Sequence, residues 1–142
     1  MKIGIVGPIH EKGMKILQNE KFDIVEVNDV ESSNLQKELQ DVDGIVLRTA
    51  HLSNDVLEHC PNLKIVSRHG VGYDNVDINF LSQRKIALAV TGTANAISVA
   101  EHVMAFFLHL SKNINLSDNL TRKGQFEEKS RLPDFYELYQ KN

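Results

Sequence analysis

The residues able to do chemistry in this 142-residue chain gather in four short loops: Gly7-Pro8, Arg48-Thr49-Ala50-His51, His69-Gly70-Val71-Gly72 and Thr91-Gly92-Thr93. Arg48 carries a permanent planar charge that can take a carboxylate in two parallel hydrogen bonds. Gly70 and Gly72 lack a Cβ, so a ligand can come close to their backbone N–H groups. Together these describe a site for a small anion. An exposed ion pair would also occupy Arg48, and a simple tight turn would also explain the glycine pair. Position favours the ligand, because each loop follows a run of Ile, Val and Leu that reads as a strand. His69 and His51 stand beside these loops and could touch a ligand, although a surface or supporting role is the simpler reading.

Other chemistries lack their residues. The six histidines, at 10, 51, 59, 69, 102 and 109, form no H-E-x-x-H pattern, and the single cysteine, Cys60, rules out an internal disulfide and a Cys-based metal site. No metal is expected. Ser67, Ser98 and Thr91 have no nucleophile elbow or paired base. Neither Gly4-Ile5-Val6-Gly7 nor Gly70-Val71-Gly72 completes G-x-G-x-x-G, because Gly4 and Gly7 are wrongly spaced and Asn75 stands where the third glycine is needed. A dinucleotide site built wholly from this chain is therefore not expected.

The elements that must hold these loops follow from hydrophobic periodicity. Strand-like runs recur at Ile3–Val6, Phe22–Val27, Gly44–Leu47, Leu63–Val66 and Ile86–Val90. Amphipathic stretches lie between them at Glu11–Asn19, Glu31–Gln40, Asn54–His59 and Val76–Arg84, with Ser32, Ser53 and Asp74 as capping candidates. Strands alternating with helices imply an α/β fold with a parallel sheet, and right-handed crossovers put helices on both faces. A flavodoxin-like, doubly wound, five-stranded parallel sheet is the expected architecture. In such sheets ligands collect outside the carboxyl ends of the strands, where all four loops fall.

After the fifth strand comes Ala94–Ser111, a long apolar helix whose centre, Val103–Leu108, is hydrophobic around most of its circumference. It needs burial on several sides, by a second domain, a partner or a deep position inside this domain. The longest nearly apolar run, Val103–Leu108, is far too short to cross a bilayer. The remainder, from Lys112, is a mostly polar tail read as a surface connection, with Gly124 and Pro133 as breakers and Phe135, Tyr136 and Tyr139 as anchors. The expected division is 1–93 for the sheet-forming domain and 94–142 for the long helix and connection. A formal charge of −3, from 16 basic and 19 acidic residues, leaves no excess of cations for a nucleic acid or an anionic membrane. With no export signal and a lone cysteine, a cytoplasmic location is expected. A freestanding receiver would want paired acidic residues after the first strand, and Gly7-Pro8-Ile9-His10 supplies none.

The block from Leu63 to Ile78, Leu-Lys-Ile-Val-Ser-Arg-His-Gly-Val-Gly-Tyr-Asp-Asn-Val-Asp-Ile, closely resembles the L-K-V-I-x-R-x-G-V-G-x-D-N-I-D signature of the D-isomer-specific 2-hydroxyacid dehydrogenases, including the phosphoglycerate dehydrogenase-like branch. Leu47-Arg48-Thr49 upstream, with Asn95 and Val99-Ala100-Glu101-His102 downstream, extends the resemblance over essentially the whole chain. It implies the N-terminal part of a two-domain, NAD-dependent oxidoreductase that interconverts D-2-hydroxy acids and 2-oxo acids in a cleft between domains. Arg48 and Thr49 would help hold the substrate. The backbone around Gly70, Val71 and Gly72 would bind its carboxylate beside the nicotinamide, Val71 would touch both ligands, and Asn95 would line the cleft. Val99–Leu110 would pack in the cofactor-domain and dimer region, as a homodimer or against a separate Rossmann domain. One departure is Gly92 after Thr91, where the family commonly has Thr-Pro. The chain is read as stopping before the Rossmann domain and its catalytic Arg, Glu and His, so no catalytic residue is assigned and His102 is read as helix structure. Two readings follow: a truncated dehydrogenase inactive alone, or a subunit module that pairs with a Rossmann polypeptide or a full-length homologue.

Overall fold

The computed structural model describes residues 1–140. Five strands, β1 (Lys2–Val6), β2 (Asp23–Val27), β3 (Gly44–Leu47), β4 (Ile65–Arg68) and β5 (Ala87–Val90), form one sheet in the order β2-β1-β3-β4-β5. Every pairing is parallel. This is the flavodoxin-like, doubly wound order. Helices α1 (Glu11–Asn19), α2 (Ser32–Glu38), α3 (Asn54–Glu58) and α4 (Ile78–Gln83) make the crossovers.

The register divides the side chains between two faces. Gly4, Val25, Ile45, Val66 and Leu88 lie across from one another in adjacent strands, and so do Val6, Val27, Leu47, Arg68 and Val90. This first face is the core: Val6, Ile45, Leu47 and Val66 pack with Leu35 and Leu39 from the α2 region, Val56, Leu57 and Cys60 from α3, and Leu81 of α4. Each fully buried Leu or Val contributes roughly 1.5–3 kcal/mol by leaving water. Gly4 is required by this packing, because a Cβ there would overlap Leu39 Cδ2 and approach Val42 Cγ1 at 3.4 Å. The opposite face carries Val46, Ser67, Ala87 and Ala89. There α1 lies over the sheet with no fully buried residue, and its Ile16 is 63% exposed.

Most elements fall where periodicity places them, and the differences are instructive. The fourth strand runs Ile65–Arg68 rather than Leu63–Val66, because Leu63 closes a turn onto the Cys60 carbonyl while Ser67 and Arg68 pair between β3 and β5. Backbone pairing in a central strand outweighs the polarity of its side chains. The capping candidates need correction as well. Ser32 is the first residue of α2, after the N-cap Glu31, and Ser53 caps α3 by position without a side-chain bond. Asp74 caps nothing. Asp77 is the cap of α4, its Oδ1 accepting from the N–H groups of Asn79 and Phe80 at 2.9 and 3.0 Å. In α1 the cap is His10, whose Nδ1 accepts from the Lys12 N–H at 3.1 Å.

The chain divides into two compact units, Met1–Ala94 and Asn95–Asn142. The second begins with α5 (Ala96–Ser111), the long apolar helix. The stretch after it is more than a connection. Asn113 turns the chain with a positive φ of 47° into α6 (Ile114–Arg122), followed by a 3-10 turn over Phe126–Arg131. The segment beyond returns to the end of α5, where the Tyr136 N–H donates to the Ser111 carbonyl at 2.9 Å and Lys112 Nζ to the Tyr136 carbonyl at 2.6 Å. These two bonds tie the segment down. The rings expected to anchor it, Phe135, Tyr136 and Tyr139, are exposed. Among the described residues no helix is long and apolar enough to cross a membrane.

Two outcomes test this account. Gly4→Ala should destabilise the chain by about 1–3 kcal/mol, the usual cost of overfilling a packed core, measured by urea unfolding. Asp77 has its pKa lowered, first by the hydrogen bond from Asn54 and then by the Phe80 N–H. Its contribution is thus present at neutral pH and is lost as pH falls below the ordinary carboxylate range, through the depressed folded value. Asp77→Asn keeps a capping oxygen and should flatten the fall in thermal midpoint between pH 7 and pH 3.

Candidate functional site

The site lies where the strand order reverses. From β1 the chain crosses outward to β2, then returns past β1 to β3, so the loops after β1 and β3 leave the sheet on opposite sides and open a crevice between their carboxyl ends. Gly7 and Arg48 stand at its mouth. The Arg48 N–H donates to the Val6 carbonyl at 3.3 Å, the Gly7 N–H to the Val27 carbonyl at 3.1 Å, and a Cβ on Gly7 would sit 3.8 Å from Arg48 Cβ. Gly7 has a φ of 81°, a left-handed conformation that admits glycine without strain.

Arg48 is exposed and makes no ion pair among the described residues; its one side-chain bond is from Nη1 to the Pro8 carbonyl at 3.3 Å. No exposed salt bridge engages Arg48 among the described residues. The guanidinium faces a cleft of about 310 Å³ lined by Pro8, Ile9, His10, Arg48 and His69. Ile9, His10 and His69 also border a second cleft of about 310 Å³, which continues between α1 and the sheet. Its floor is Ile16, Leu17 and Val46, and Ser67, Arg68 and Thr91 complete the rim. No carboxylate lines either cleft.

The glycine loop is held from several directions. The His69 N–H donates to the Leu47 carbonyl at 2.7 Å, and the Thr91 N–H to the Gly70 carbonyl at 3.1 Å. The Gly70 N–H is committed to the Arg68 carbonyl at 2.9 Å, whereas those of Val71 and Gly72 have no partner among the described residues. These two are the donors open to a ligand. Arg68 folds back over this loop, Nη1 donating to the His69 carbonyl at 3.0 Å, and any side chain on Gly70 would displace the guanidinium. Arg68 Nε is buried without a partner.

Asn75 ties the Arg48 loop to the Gly70 loop. Its Nδ2 donates to the Ala50 carbonyl at 2.7 Å, its own carbonyl accepts from the Leu52 N–H at 2.9 Å, and Leu52 bridges Val76 in parallel.

Arg48, Gly70, Val71 and Gly72 thus share one end of the first unit, Thr49 lies exposed beside Arg48, and Asn95 belongs to the second unit, where it is the N-cap residue of α5. Sequence reasoning passed over His10, Arg68 and Asn75. His10 could have been found as a polar residue immediately before an amphipathic helix and after a strand end; Arg68 was hidden by ending the strand at Val66. Among the described residues no group of three or more His, Cys, Asp or Glu could hold a metal.

Comparison with known proteins agrees with this geometry. Residues 3–137 match the family model of the D-isomer specific 2-hydroxyacid dehydrogenase catalytic domain. The chain is 31% identical over 130 residues to a D-3-phosphoglycerate dehydrogenase of Archaeoglobus fulgidus, covering 91% of this chain and 25% of that protein. It is 29% identical to a glyoxylate reductase of Pyrococcus furiosus, covering 99% of this chain and 44% of the reductase. The crystal structure of a Pyrococcus horikoshii protein superposes with a TM-score of 0.83 at 23% identity, over 97% of this chain and 43% of that one. That of an NAD-dependent formate dehydrogenase from Staphylococcus aureus in complex with NAD superposes with a TM-score of 0.77 at 25% identity, over 92% and 44%. The chain thus spans between a quarter and under half of the length of these relatives. With its parallel sheet, its switch-point cleft and a match over nearly its whole length, this chain belongs to the D-isomer specific 2-hydroxyacid dehydrogenase family, in the part that forms the catalytic domain.

Proposed function

We propose that this chain is the substrate-binding half of an NAD-dependent oxidoreductase that interconverts D-2-hydroxy acids and 2-oxo acids. The observation that carries this reading is that the Arg48 guanidinium, in no ion pair among the described residues, stands at the same carboxyl edge of the sheet as the Val71 and Gly72 N–H groups, which have no partner among the described residues. Arg48, with Thr49 next to it, receives the anionic end of the acid; the Val71 and Gly72 N–H groups take a carboxylate oxygen. Backbone donors fixed by the sheet and by Asn75 need no reorganisation to do so.

The described residues do not fit a whole dinucleotide. The Gly70–Gly72 turn leads into the Val76 bridge, with α4 starting only at Ile78, so no helix N-terminus follows it to receive a pyrophosphate. NAD, when bound, supplies the hydride acceptor or donor. This chain's share in holding it is the exposed side chain of Val71. No catalytic acid, base or hydride step is assigned to these residues, and the 142-residue chain alone is expected to be inactive. Asn95 is proposed as a further substrate-binding residue, with 1–93 as the substrate-binding domain and 94–142 as the crossover. A cytoplasmic location suits the lone Cys60, which is buried and whose thiol is pushed up to about 11 by that burial, leaving it unreactive at neutral pH.

A second reading concerns assembly. Along α5, Ile97 is 78%, Phe106 55% and Leu110 72% exposed, more apolar surface than a free helix leaves in water. We propose that Val99–Leu110 pairs with a second copy or with a Rossmann domain.

Two measurements check these proposals. Arg48→Ala should weaken binding of a simple 2-oxo acid such as 2-oxopentanoate by about 10–100-fold in calorimetry, the range for a lost charge-assisted hydrogen bond. Unchanged affinity would remove Arg48 from the site. Phe106→Glu should shift the sedimentation coefficient of a self-associated chain to that of the monomer; identical sedimentation of both proteins would remove α5 from the contact.

A further inference from the structure

We propose that Asn75 is a positioning residue for Arg48: its side-chain amide fixes the loop that carries the guanidinium, and so acts on the substrate without touching it. This role rests on the reading of Arg48 as the anchor of a 2-oxo acid and extends it to what holds that anchor. Arg48 is the first residue after β3, and its N–H, bonded to the Val6 carbonyl at 3.3 Å, is the last link to the sheet. Beyond it, Thr49, Ala50 and His51 make no backbone bond to one another, and their N–H groups have no partner among the described residues. The bonds that hold this stretch between the sheet and Leu52 come from Asn75. Its Nδ2 donates to the Ala50 carbonyl at 2.7 Å and reaches the Arg48 carbonyl at 3.5 Å, and its backbone carbonyl accepts from the Leu52 N–H at 2.9 Å.

The amide is kept at a cost. Asn75 Oδ1 is buried and has no partner among the described residues, and a buried acceptor left unpaired disfavours folding by roughly 1–3 kcal/mol. An apolar side chain of similar size would avoid that penalty, so packing of the turn does not account for an amide here. The Nδ2 donor does account for it, because a loop without internal bonds needs an outside donor to fix its carbonyls. Such support matters for a long side chain. Arg48 is exposed and its guanidinium makes one bond, to the Pro8 carbonyl at 3.3 Å. The direction in which the side chain leaves the loop is therefore set by the backbone that Asn75 holds, and a bidentate grip on a carboxylate tolerates displacements of only about 0.5 Å.

The test compares the 142-residue chain with its Asn75→Asp and Asn75→Leu variants, using 2-oxopentanoate as the probe. Asn75→Asp keeps the size and turns the donor into an acceptor facing two carbonyls. Calorimetry at pH 7 should show binding about tenfold weaker than in the unsubstituted chain. At pH 5 the introduced carboxyl, whose pKa is raised by burial beside the carbonyls, is protonated and donates again, so the difference should shrink below about threefold. All other ionisable groups are the same in both proteins, and the ratio at each pH isolates position 75. Asn75→Leu has no donor at either pH and should stay about tenfold weaker at both; it carries the test if the aspartate variant does not fold at pH 7. In nitrogen-15 relaxation the order parameters of Thr49, Ala50 and His51 should fall from about 0.85 to below about 0.6 in Asn75→Leu. A purely structural role lowers the unfolding midpoint and leaves the affinity of the folded protein unchanged at both pH values, which would overturn the proposal with the Arg48 reading left standing. So would unchanged order parameters. If the unsubstituted chain binds no 2-oxopentanoate, or Arg48→Ala binds it equally well, the Arg48 reading falls and the role of Asn75 falls with it.

Discussion

Everything in the first unit depends on β1 pairing in parallel with strands on both sides. That arrangement forces the loops after β1 and β3 apart, and the crevice they leave is the site. It also demands very close packing at the centre of the sheet. A Cβ on Gly4, on one face, would overlap Leu39 Cδ2, and one on Gly44, on the other, would come to 3.0 Å from Ile3 Cδ1 and 3.2 Å from Ile65 Cγ2.

The two faces of the sheet have different tasks. The face under α2, α3 and α4 holds nearly all the completely buried Leu and Val side chains, so it supplies most of the hydrophobic stabilisation. The face under α1 is thinly covered, and the open space there becomes the apolar end of the cleft. Strength and access are thus separated within one layer of strands. The loops at the cleft are held by hydrogen bonds, chiefly from the His69 N–H to the Leu47 carbonyl, the Thr91 N–H to the Gly70 carbonyl and the Asn75 side chain to the Ala50 carbonyl.

The cleft's electrostatics follow from what is absent as much as from what is present. The acidic residues that outnumber the basic ones overall are placed elsewhere: Asp43 holds Lys64 at 2.6 Å near the amino end of the sheet, and Asp77 caps α4. Strand carboxyl ends bring backbone N–H groups and basic side chains together at one edge. The result is a region suited to anions on a chain that is slightly negative as a whole.

The alternation of Ile- and Val-rich runs with amphipathic stretches was enough to determine a parallel α/β sheet, because periods of 2 and 3.6 are carried by neighbouring residues. It was also enough to place Arg48 and Gly70–Gly72 after strands, hence at one edge, and α1 was read to the residue. What it could not determine was anything decided by distant partners. Ser67 and Arg68 look like loop residues until β3 and β5 pair with them from either side. Asp77 and Asp74 are equally good caps until the Leu52–Val76 bridge fixes where α4 begins. His10 is one of six scattered histidines until the switch point brings it to the same cleft as Arg48. The sequence by itself determined the kinds of element and which loops follow which strands, since those are local properties. Only the tertiary structure decided which side chains share the cleft and which N–H groups remain free, because both depend on hydrogen bonds between residues 20 to 40 positions apart.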